Sequence, residues 1–486
     1  MAKRDTVIDI GSNSVRMVVY EKSSRFSFHL LHEAKSKVRL SQNAYQNGGN
    51  LQEEPMQRTF EALADFISIS DSFKSRKTLC VATSALRDAP NKKDFLQRVK
   101  HELKLNIKII DGNKEAYFGA IACANLLPKQ ENALSIDIGG GSTEFTLIND
   151  KDVSNAISLK LGTVRIKELF FDNNSIEKAK EHIDTQLDVL SDFNIDSIIG
   201  IGGTFRAISA AIMQRKKYPL NKLHAFEYSA DELKDFIAQI LDADETQLKE
   251  LGIESNRFDV IKPGALILDR VLQKLCVKNV ITSGVGVREG VYLADMLRNS
   301  KHKLPHNYNP SVRYLLDSHT QDHNFANQLS TLSKKLFDLT SIYLNLDAAY
   351  RYELSTAAKL YTAGSSIHFY SQNKHSYYLI QTALEYGFTH KQILLISTLT
   401  KYAKKRLPSD SHKEKYKELL PPNGEVNALS YLLSLSIALL THKPRNIDFD
   451  LKFEDGILKV VSKKSLYLTR DAVTKLDCNK DFKVIF

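Results

Sequence analysis

The chain has 486 residues, of which 43% are hydrophobic and 26% charged, with a formal net charge of +10 and a pI of about 9.1. This composition excludes a largely disordered chain, and the length exceeds what one hydrophobic core normally holds, so several domains are expected. The positive charge favours a polyanionic partner, for which polyphosphate, nucleotides and nucleic acid all qualify.

The cysteines and the apolar segments bear on cellular location. The four cysteines are scattered and form no C-x-x-C pair, which argues against a zinc site or a disulfide framework: Cys80, Cys123, Cys276 and Cys478. The first residues lack the apolar core of a signal peptide, and the longest nearly apolar run, 428–440, is shorter than the roughly 20 residues of a membrane span. We therefore expect a cytoplasmic protein without a membrane partner, and a buried helix at 428–440.

The sequence contains an internal repeat. Residues 7–20, VIDIGSNSVRMVVY, resemble residues 135–148, SIDIGGGSTEFTLI. In each copy an apolar run reaches an aspartate, Asp9 or Asp137, passes a turn rich in glycine and serine, and resumes as alternating apolar and polar residues. This pattern predicts a β-hairpin in each copy and therefore two related lobes.

The elements around the two hairpins alternate between strand and helix. After the first hairpin the pattern predicts strands at 26–34, 78–84 and 107–111 and helices at 56–69, 92–103 and 114–127. After the second it predicts strands at 156–161, 196–202 and 279–284, helices at 176–190 and 286–297, and further helices between them. The alternation indicates an α/β fold in both lobes.

Beyond a Pro- and Asn-containing linker at 301–310, helical periodicity dominates. Helices are predicted at 325–344, 350–360, 375–386 and 390–405, and two strands around an Asp-Gly turn follow residue 446. We therefore expect lobe I at 1–128, lobe II at 129–304, an all-α domain at 305–444 and a small α+β tail domain at 445–486.

The two glycine turns are candidate phosphate sites, because residues without bulk let backbone N–H groups approach phosphate oxygens. The first turn comprises Gly11, Ser12, Asn13 and Ser14, and the second comprises Gly139, Gly140, Gly141, Ser142 and Thr143. Ordinary tight hairpins are the alternative for either turn alone. A Walker phosphate loop is excluded, because no glycine in the chain is followed by lysine.

Three carboxylates accompany these turns. Asp9 and Asp137 end the first strand of each hairpin, and Glu144 follows the second turn. In a shared cleft they would hold Mg²⁺ directly or through water, with Glu144 as an additional ligand or a group that orients water. The alternative is that the aspartates only form the turns.

Six motifs, taken together and in this order, resemble the exopolyphosphatase/guanosine pentaphosphate phosphohydrolase (Ppx/GppA) family. They are DIGSNS at 9–14, TSALRDA at 83–89, GNKEA at 112–116, DIGGGSTE at 137–144, GIGGTFRAI at 200–208 and SGVGVREG at 283–290. The resemblance covers about the first 300 residues. It implies two duplicated RNase-H-like lobes of the actin/Hsp70/sugar-kinase type, whose glycine turns bind phosphates from opposite sides.

The resemblance also implies residue roles. Glu115 corresponds to the family's catalytic glutamate, which orients and deprotonates the attacking water, and Arg87 corresponds to a phosphate-binding arginine. Without the resemblance, Glu115 would only complement a helix dipole, and Arg87 would form a surface ion pair with Asp88. Lys114 stands where many relatives carry a second acid.

Two further groups are candidates for substrate binding. Gly202, Gly203 and Thr204 lie where a strand enters a helix, and they either face guanosine or further phosphates or serve close strand–helix packing. Arg165 either contacts distal phosphates or is an ordinary solvated arginine.

The helical region resembles a degenerate HD phosphohydrolase domain. Tyr361 and Thr362 stand where a His-acid pair would be expected, and Ala403 stands where another histidine often occurs. His323 and His375 remain, but they do not make a metal site without the missing carboxylate. A binding or dimerisation role, with a possible homodimer, is the expectation for this region.

The resulting functional expectation is Mg²⁺-dependent hydrolysis of a terminal phosphate, from guanosine pentaphosphate (pppGpp to ppGpp), from inorganic polyphosphate, or from both. Guanosine pentaphosphate is slightly favoured, because the eroded helical domain shows no sign of a dedicated polymer channel. The expected partner is thus a phosphate-rich anion and not nucleic acid. A kinase-like phosphotransferase that uses ATP and a small acceptor, or an actin- or Hsp70-like binding protein driven by nucleotide hydrolysis, remains the alternative.

Overall fold

A computed structural model describes residues 3–190, 193–403, 406–476 and 482–486, so Cys478 lies outside the described part. The chain divides into two compact units, Met1–Tyr308 and Asn309–Phe486. Each unit is described by itself below.

Lobe I of the first unit is built on a sheet with strand order β3-β2-β1-β4-β5. Its strands are β1 Lys3–Ile10, β2 Val15–Lys22, β3 Phe28–Ser36, β4 Lys77–Ala82 and β5 Ile107–Ile109. The first three are antiparallel neighbours, whereas β4 runs parallel to β1 and β5 runs parallel to β4. The first hairpin therefore lies in the middle of the sheet, and its turn lies at the carboxyl end of β1.

Lobe II repeats this order. Its strands are β6 Ala133–Ile138, β7 Thr143–Asn149, β8 Asp152–Leu159, β9 Ser197–Ile201, β10 Phe226–Ser229 and β11 Asn279–Thr282. The order β11-β9-β6-β7-β8 matches that of lobe I, and β10 is added antiparallel at the β11 edge. The predicted duplication of the lobes is confirmed.

Two strands of lobe II differ from the sequence prediction. Strand β8 begins four residues before the predicted 156–161, because its first half is exposed and polar and shows no apolar alternation. Strand β10 was not predicted, since it has four residues and lies at a sheet edge, where little of its sequence needs to be apolar.

The helices of the first unit cover the sheets. They are α1 Glu53–Ser72, α2 Ser84–Asp88, α3 Lys92–Glu102, α4 Gly112–Leu126, α5 Thr163–Ile166, α6 Ile176–Leu187, α7 Gly202–Arg215, α8 Ala230–Asp242, α9 Glu245–Glu250, α10 Phe258–Lys274 and α11 Val287–Met296. Each lobe has its own apolar core. In lobe I, for example, α1 buries Leu63 and Phe66 at helical spacing, while acidic residues fill its first turn.

Helix α11 follows the last strand of lobe II but packs against α4 and β1 of lobe I. The two helices touch backbone to backbone, because a side chain at Gly290 would lie within 1.8 Å of the Phe118 carbonyl oxygen. Only glycine fits there. The crossing brings the first turns of α4 and α11 to the same cleft.

The second unit is helical with a small strand tail. Its elements are α12 Pro310–His319, α13 His323–Thr340, α14 Tyr350–Leu360, α15 Gln372–Ala383, α16 His390–Tyr402, α17 Asp410–Lys415, α18 Asn423–Leu439, β12 Asp450–Glu454, β13 Ile457–Val461, α19 Tyr467–Thr474 and β14 Lys483–Ile485. The predicted Asp-Gly hairpin is confirmed, with Gly456 at φ +72°. The predicted buried helix is α18, most of whose residues are buried.

One predicted boundary needs correction. The linker expected at 301–310 ends one residue early, because Asn309 caps α12 by accepting a hydrogen bond from Val312 N, and Pro310 occupies its first turn. Over the described part of the chain, no helix has both the length and the apolar character that crossing a membrane requires.

Candidate active site

A cavity of about 160 Å³ lies between the two lobes of the first unit, where the glycine turns of the two hairpins meet. It is lined by most of the residues that the sequence analysis selected: Asp9, Gly11, Ser12, Asn13, Ser14, Glu115, Asp137, Gly139, Gly140, Ser142, Glu144, Gly202, Gly203 and Thr204. Residues more than 190 positions apart in sequence thus face one space. Four other selected residues, Arg87, Gly141, Thr143 and Arg165, lie next to lining residues but do not line the cavity themselves.

The two glycine turns have the same local geometry. Gly11 N donates to Ser14 O at 3.1 Å, and Gly139 N donates to Ser142 O at 2.9 Å. The first turn is supported from behind by backbone hydrogen bonds from residues 39 and 41 to the carbonyls of Asn13 and Ser12. The shared geometry agrees with the duplicated sequence.

The second turn is supported by the segment that starts α5. Backbone N–H groups of this segment donate to the carbonyls of Gly139 and Gly140, and Arg165 Nε donates to Gly141 O at 2.9 Å. A side chain at Gly162 would lie 2.3 Å from Gly140, so glycine is required for the approach. Arg165 therefore holds the turn and does not line the cavity, and the buried Thr143 hydroxyl donates to the Leu161 carbonyl.

Glu115 lies in the first turn of α4, which Asp111 caps by accepting from Lys114 N at 2.8 Å. Its buried carboxylate accepts a hydrogen bond from Arg87 Nη1 at 2.8 Å. Burial, followed by the charge of Glu144, raises the pKa of Glu115 well above its ordinary value, although Arg87 opposes the shift. A carboxylate with such a pKa is suited to accept a proton near neutral pH.

Arg87 has both of the partners that the sequence left as alternatives. It pairs with Glu115, and its Nε lies 3.7 Å from Asp88 Oδ1. The Arg87 guanidinium also reaches the second turn, since Nη2 lies 3.5 Å from Ser142 Oγ. Its position between Glu115 and the turn suits contact with the terminal phosphate of a substrate.

Glu144 is buried on β7 and accepts a hydrogen bond from Ser158 Oγ at 2.7 Å. Burial, with Asp137 as the next cause, raises the pKa of Glu144 to about 8. The same serine accounts for the glycine of the GNKEA motif, because a side chain at Gly112 would lie 2.4 Å from Ser158 Cβ. Helix α4 can therefore start directly against β8, which brings Glu115 near Glu144.

Asp9 and Asp137 face the cavity from the ends of β1 and β6. Considering only residues that the structure describes, neither carboxylate accepts a hydrogen bond or has a cation within 4 Å. Burial raises the pKa of Asp137 to about 6 and also raises that of Asp9, although Arg288 and Arg16 oppose the shift at Asp9. Gly202, at φ +87°, has no room for a side chain, which would lie 2.5 Å from Asp137 Oδ1.

These two carboxylates fit a hydrated divalent cation. Nowhere in residues 3–190, 193–403, 406–476 and 482–486 do three or more His, Cys, Asp or Glu side chains form a group that could hold a metal by themselves. Mg²⁺, however, is usually bound by one or two carboxylates together with water and substrate phosphates. The unpaired oxygens of Asp9 and Asp137 are therefore compatible with it.

Four arginines also line the cavity: Arg16, Arg206, Arg257 and Arg288. The sequence indicated Arg288, in the SGVGVREG motif, either for substrate binding or for packing, and it did not indicate the other three. Arg288 pairs with Glu33 at 2.6 Å, and Arg206 donates to the Ser283 and Val285 carbonyls. The guanidinium groups of Arg16 and Arg257 have neither a hydrogen bond nor an ion pair with any described residue. Burial, then Arg288 and Arg206, lowers the pKa of Arg16 to about 10.

The cavity is therefore divided by charge. The charges of Glu144 and Asp137 raise the pKa of Glu115, whereas Arg16, Arg206 and Arg288 lower the pKa of Asp9 or Asp137. Glu115, bonded to Arg87, lies with Glu144 where α4 starts against β8, and the arginines form a second group. A signal for one of these arginines was present in the sequence, since Arg16 follows the first turn at the position that Glu144 occupies after the second.

Comparisons with known proteins agree with these features. The sequence model of the Ppx/GppA phosphatase family matches residues 18–299, and the model of Ppx/GppA phosphatase domain III matches residues 309–479. Among curated proteins, a bifunctional 3-dehydroquinate synthase/phosphatase of Fusobacterium nucleatum is 33% identical over 284 residues, which are 54% of this chain and 42% of that protein. The chain therefore spans less than half of that relative.

A second relative, a guanosine-5′-triphosphate,3′-diphosphate pyrophosphatase of Photobacterium profundum, is 27% identical over 420 residues, or 83% of this chain and 80% of that protein. Among solved structures, the Aquifex aeolicus Ppx/GppA family member matches with a TM-score of 0.54 and 28% identity, over 62% of this chain and 99% of that one. An exopolyphosphatase from Cytophaga hutchinsonii matches with a TM-score of 0.57 and 23% identity, over 62% of this chain and 100% of that one, which shows the fold alone.

Proposed function

This chain belongs to the Ppx/GppA phosphatase family, and on that premise we propose that it hydrolyses the terminal phosphoanhydride bond of guanosine pentaphosphate, of inorganic polyphosphate, or of both. The observation that carries the proposal is the position of Glu115. Its buried carboxylate, with a raised pKa, faces the cavity between two phosphate-binding turns and is oriented by Arg87.

The residues of the cavity account for the reaction as follows. The two turns and Arg87 hold the terminal phosphate, and Glu115 orients a water molecule in line with the bond to be broken. The water oxygen forms a bond to the terminal phosphorus as the bond from that phosphorus to the bridging oxygen breaks. One water proton passes to Glu115, and the electron pair of the broken bond stays with the shortened phosphate chain.

We further propose that Asp9 and Asp137 hold Mg²⁺ through water or directly, with Glu144 close enough to bind a water of its hydration shell. Bound there, the cation would neutralise phosphate charge and stabilise charge that develops on the bridging oxygen. The unpaired carboxylates of Asp9 and Asp137 support this assignment. Glu144, already bonded to Ser158, is better placed to orient water than to bind the metal directly.

The rest of the substrate is proposed to extend over the arginine cluster. The guanidinium groups of Arg16 and Arg257 have no described protein partner and suit bidentate contact with phosphate. Gly203 provides the space that the Arg257 guanidinium occupies, since a side chain there would lie 2.5 Å from it. The cluster therefore offers two or more sites for phosphates beyond the one that is cleaved.

Guanosine pentaphosphate is the first candidate substrate and polyphosphate the second. The relative that matches over 83% of this chain carries the name of a guanosine-5′-triphosphate,3′-diphosphate pyrophosphatase, which supports this order. Specific activity on each purified substrate would decide between them. Equal activities would remove the preference for guanosine pentaphosphate.

The proposal is tested by phosphate release from both substrates, with and without Mg²⁺, for the native chain and for Glu115→Gln. Loss of the general base should lower kcat by about 10²–10⁴-fold. Glu102→Gln, which changes an acid on the exposed surface of α3, is the control and should leave kcat unchanged. Hydrolysis by Glu115→Gln at the native rate would overturn the assignment. Phosphate transfer that requires an added acceptor would instead favour the kinase-like alternative.

A further inference from the structure

A second cavity, of about 280 Å³, lies next to the second glycine turn, and no residue of the arginine cluster lines it. Lobe I lines it with the segment 41–49 and the start of α2, and lobe II lines it with Lys160, Arg165 and Leu169. We propose that this outer cavity is the exit for inorganic phosphate, an inference that rests on the proposed function.

The wall between the two cavities is thin. Ser84 lines both cavities. The wall continues at Gly141, where a Cβ atom would lie 2.4 Å from Tyr45 Oη, 2.6 Å from Ser84 Oγ and 3.0 Å from Ser12 Oγ. A glycine and three hydroxyl groups thus separate the site of cleavage from the outer cavity. Small displacements of these groups would join the two cavities.

A separate exit is needed because the two parts of the substrate bind at different places in the active-site cavity. The terminal phosphate lies at Glu115 and Arg87, and the arginine cluster holds the rest of the substrate. After cleavage, inorganic phosphate lies behind the shortened product, which the arginines still bind. Phosphate can then leave through the cleft only after the product has left, whereas the outer cavity offers a direct path.

Alternating charges connect the site to the outer cavity. Arg87 contacts Glu115 at 2.8 Å and Asp88 at 3.7 Å, and Asp88 in turn contacts Arg165 at 2.7 Å. Lys160 is exposed at the edge of the outer cavity and has no hydrogen bond or ion pair with another described residue. Against the single carboxylate of Asp88, the cavity therefore presents two cations, which favours an anion.

A third cavity of about 270 Å³, which also borders the first turn, is a less suitable exit. Its two cations are already paired, Arg39 with Asp259 at 3.4 Å and Lys167 with Asp172 at 2.6 Å. The Glu168 carboxylate lines it as well, so carboxylates outnumber cations. An anion would be repelled there, so the outer cavity is the better exit for phosphate.

Tyr45 is the side chain that would have to move. Its hydroxyl is buried and has no hydrogen-bond partner among the described residues, and its ring lies under the Arg165 guanidinium at 4.3 Å. The Tyr45 segment is held to lobe II by Glu168, whose carboxylate accepts from Asn43 N at 2.8 Å and Tyr45 N at 3.2 Å. Gln46 Nε2 also donates to the Glu168 carbonyl at 3.2 Å. Three hydrogen bonds and one ring contact are few enough to break and re-form in each turnover.

The pattern of product inhibition tests the exit. If phosphate leaves first through the outer cavity, added inorganic phosphate can bind while the shortened product occupies the cleft. Inhibition by inorganic phosphate should then be noncompetitive or mixed with respect to the substrate. Purely competitive inhibition in an active enzyme would overturn the exit alone. Absence of hydrolysis would overturn the proposed function, and the exit with it.

A charge reversal provides a second measurement. Lys160→Glu should raise the phosphate inhibition constant roughly fivefold, because it replaces an attraction by a repulsion at the proposed exit, with KM for the substrate unchanged. Lys178→Glu makes the same change of charge on the exposed face of α6, outside the cavity, and should leave the constant unchanged. Equal effects of the two variants would overturn the proposal.

Discussion

The two hairpins have the same fold and turn geometry but opposite charge at one matched position. In the first hairpin the residue paired with Asp9 across the strands is Arg16, and in the second the residue paired with Asp137 is Glu144. The first hairpin thus contributes a cation to the arginine cluster, and the second contributes a carboxylate near Glu115. The two hairpins thus have equivalent backbones, and under the proposed function this single matched position would distinguish substrate binding in the first hairpin from the orientation of water near the metal in the second.

Of the two matched positions, the carboxyl group of the second hairpin should matter more for the chemical step. Glu144→Gln keeps the size of the side chain but replaces one carboxyl oxygen, the proposed acceptor for a bound water, by an amide nitrogen, so kcat should fall about 10²-fold while KM changes little. Ser158→Ala, which removes only the hydrogen bond to Glu144, should have a smaller effect. Steady-state kinetics of both variants provide the measurement, and a change confined to KM would contradict this role.

The second turn also depends on a glycine that the first turn does not need. Gly162→Ala places a methyl group 2.3 Å from Gly140, so the free energy of unfolding should fall by about 1–3 kcal/mol. Gly424→Ala, in α18 with no atom within 4 Å of the added group, is the matched control and should be neutral or slightly stabilising. Denaturant titrations compare the two. If Gly162→Ala had the same free energy of unfolding as the native chain, the turn could shift to accommodate the methyl group, and the close approach would not be required.

The arginine of the first hairpin should act on binding. Arg16→Ala removes a charged donor to substrate phosphate, so KM should rise about tenfold with kcat nearly unchanged. Lys35→Ala, on the neighbouring strand and exposed, should have a weaker effect. If Arg16→Ala lowered kcat as strongly as Glu144→Gln, the division of roles between the hairpins would be wrong.

The last prediction concerns stability and pH, with no effect on catalysis required. Burial raises the pKa of Glu144 to about 8, above its unfolded value, so the folded state binds more protons over the interval between the two. The stabilisation that this difference in proton binding provides is fully present below the pKa of Glu144 in the unfolded chain. It is lost as pH rises toward about 8. The unfolding free energy of the ligand-free protein should therefore decrease more steeply from pH 5 to pH 8 than that of Glu144→Gln. An identical pH dependence in both proteins would contradict the shift.

The sequence predicted those parts of the site that local rules determine. Both hairpins follow from alternating strands and glycine turns. Glu115 was selected only through the family resemblance, because local rules alone indicate that an acid in a first helical turn complements the helix dipole. Arg206 and Arg257 could not be selected from local rules. Arg206 reaches the cavity from α7 and Arg257 from the residue before α10, and the positions of both helices depend on the packing of lobe II. The bracing role of Arg165 likewise depends on the approach of Gly162 to Gly140, a contact between separate segments.

The crossing of α4 and α11 also has a consequence for the synthesis of the protein. Helix α4 packs against α11, which is translated after all the strands of lobe II, so a nascent chain that ends before residue 287 carries Glu115 on a helix that lacks one of its packing partners. We expect α4 not to pack stably on the ribosome until α11 emerges. A truncated chain of that length should expose the apolar surface that α11 covers. The protein would then become active only when nearly all of the first unit has been made.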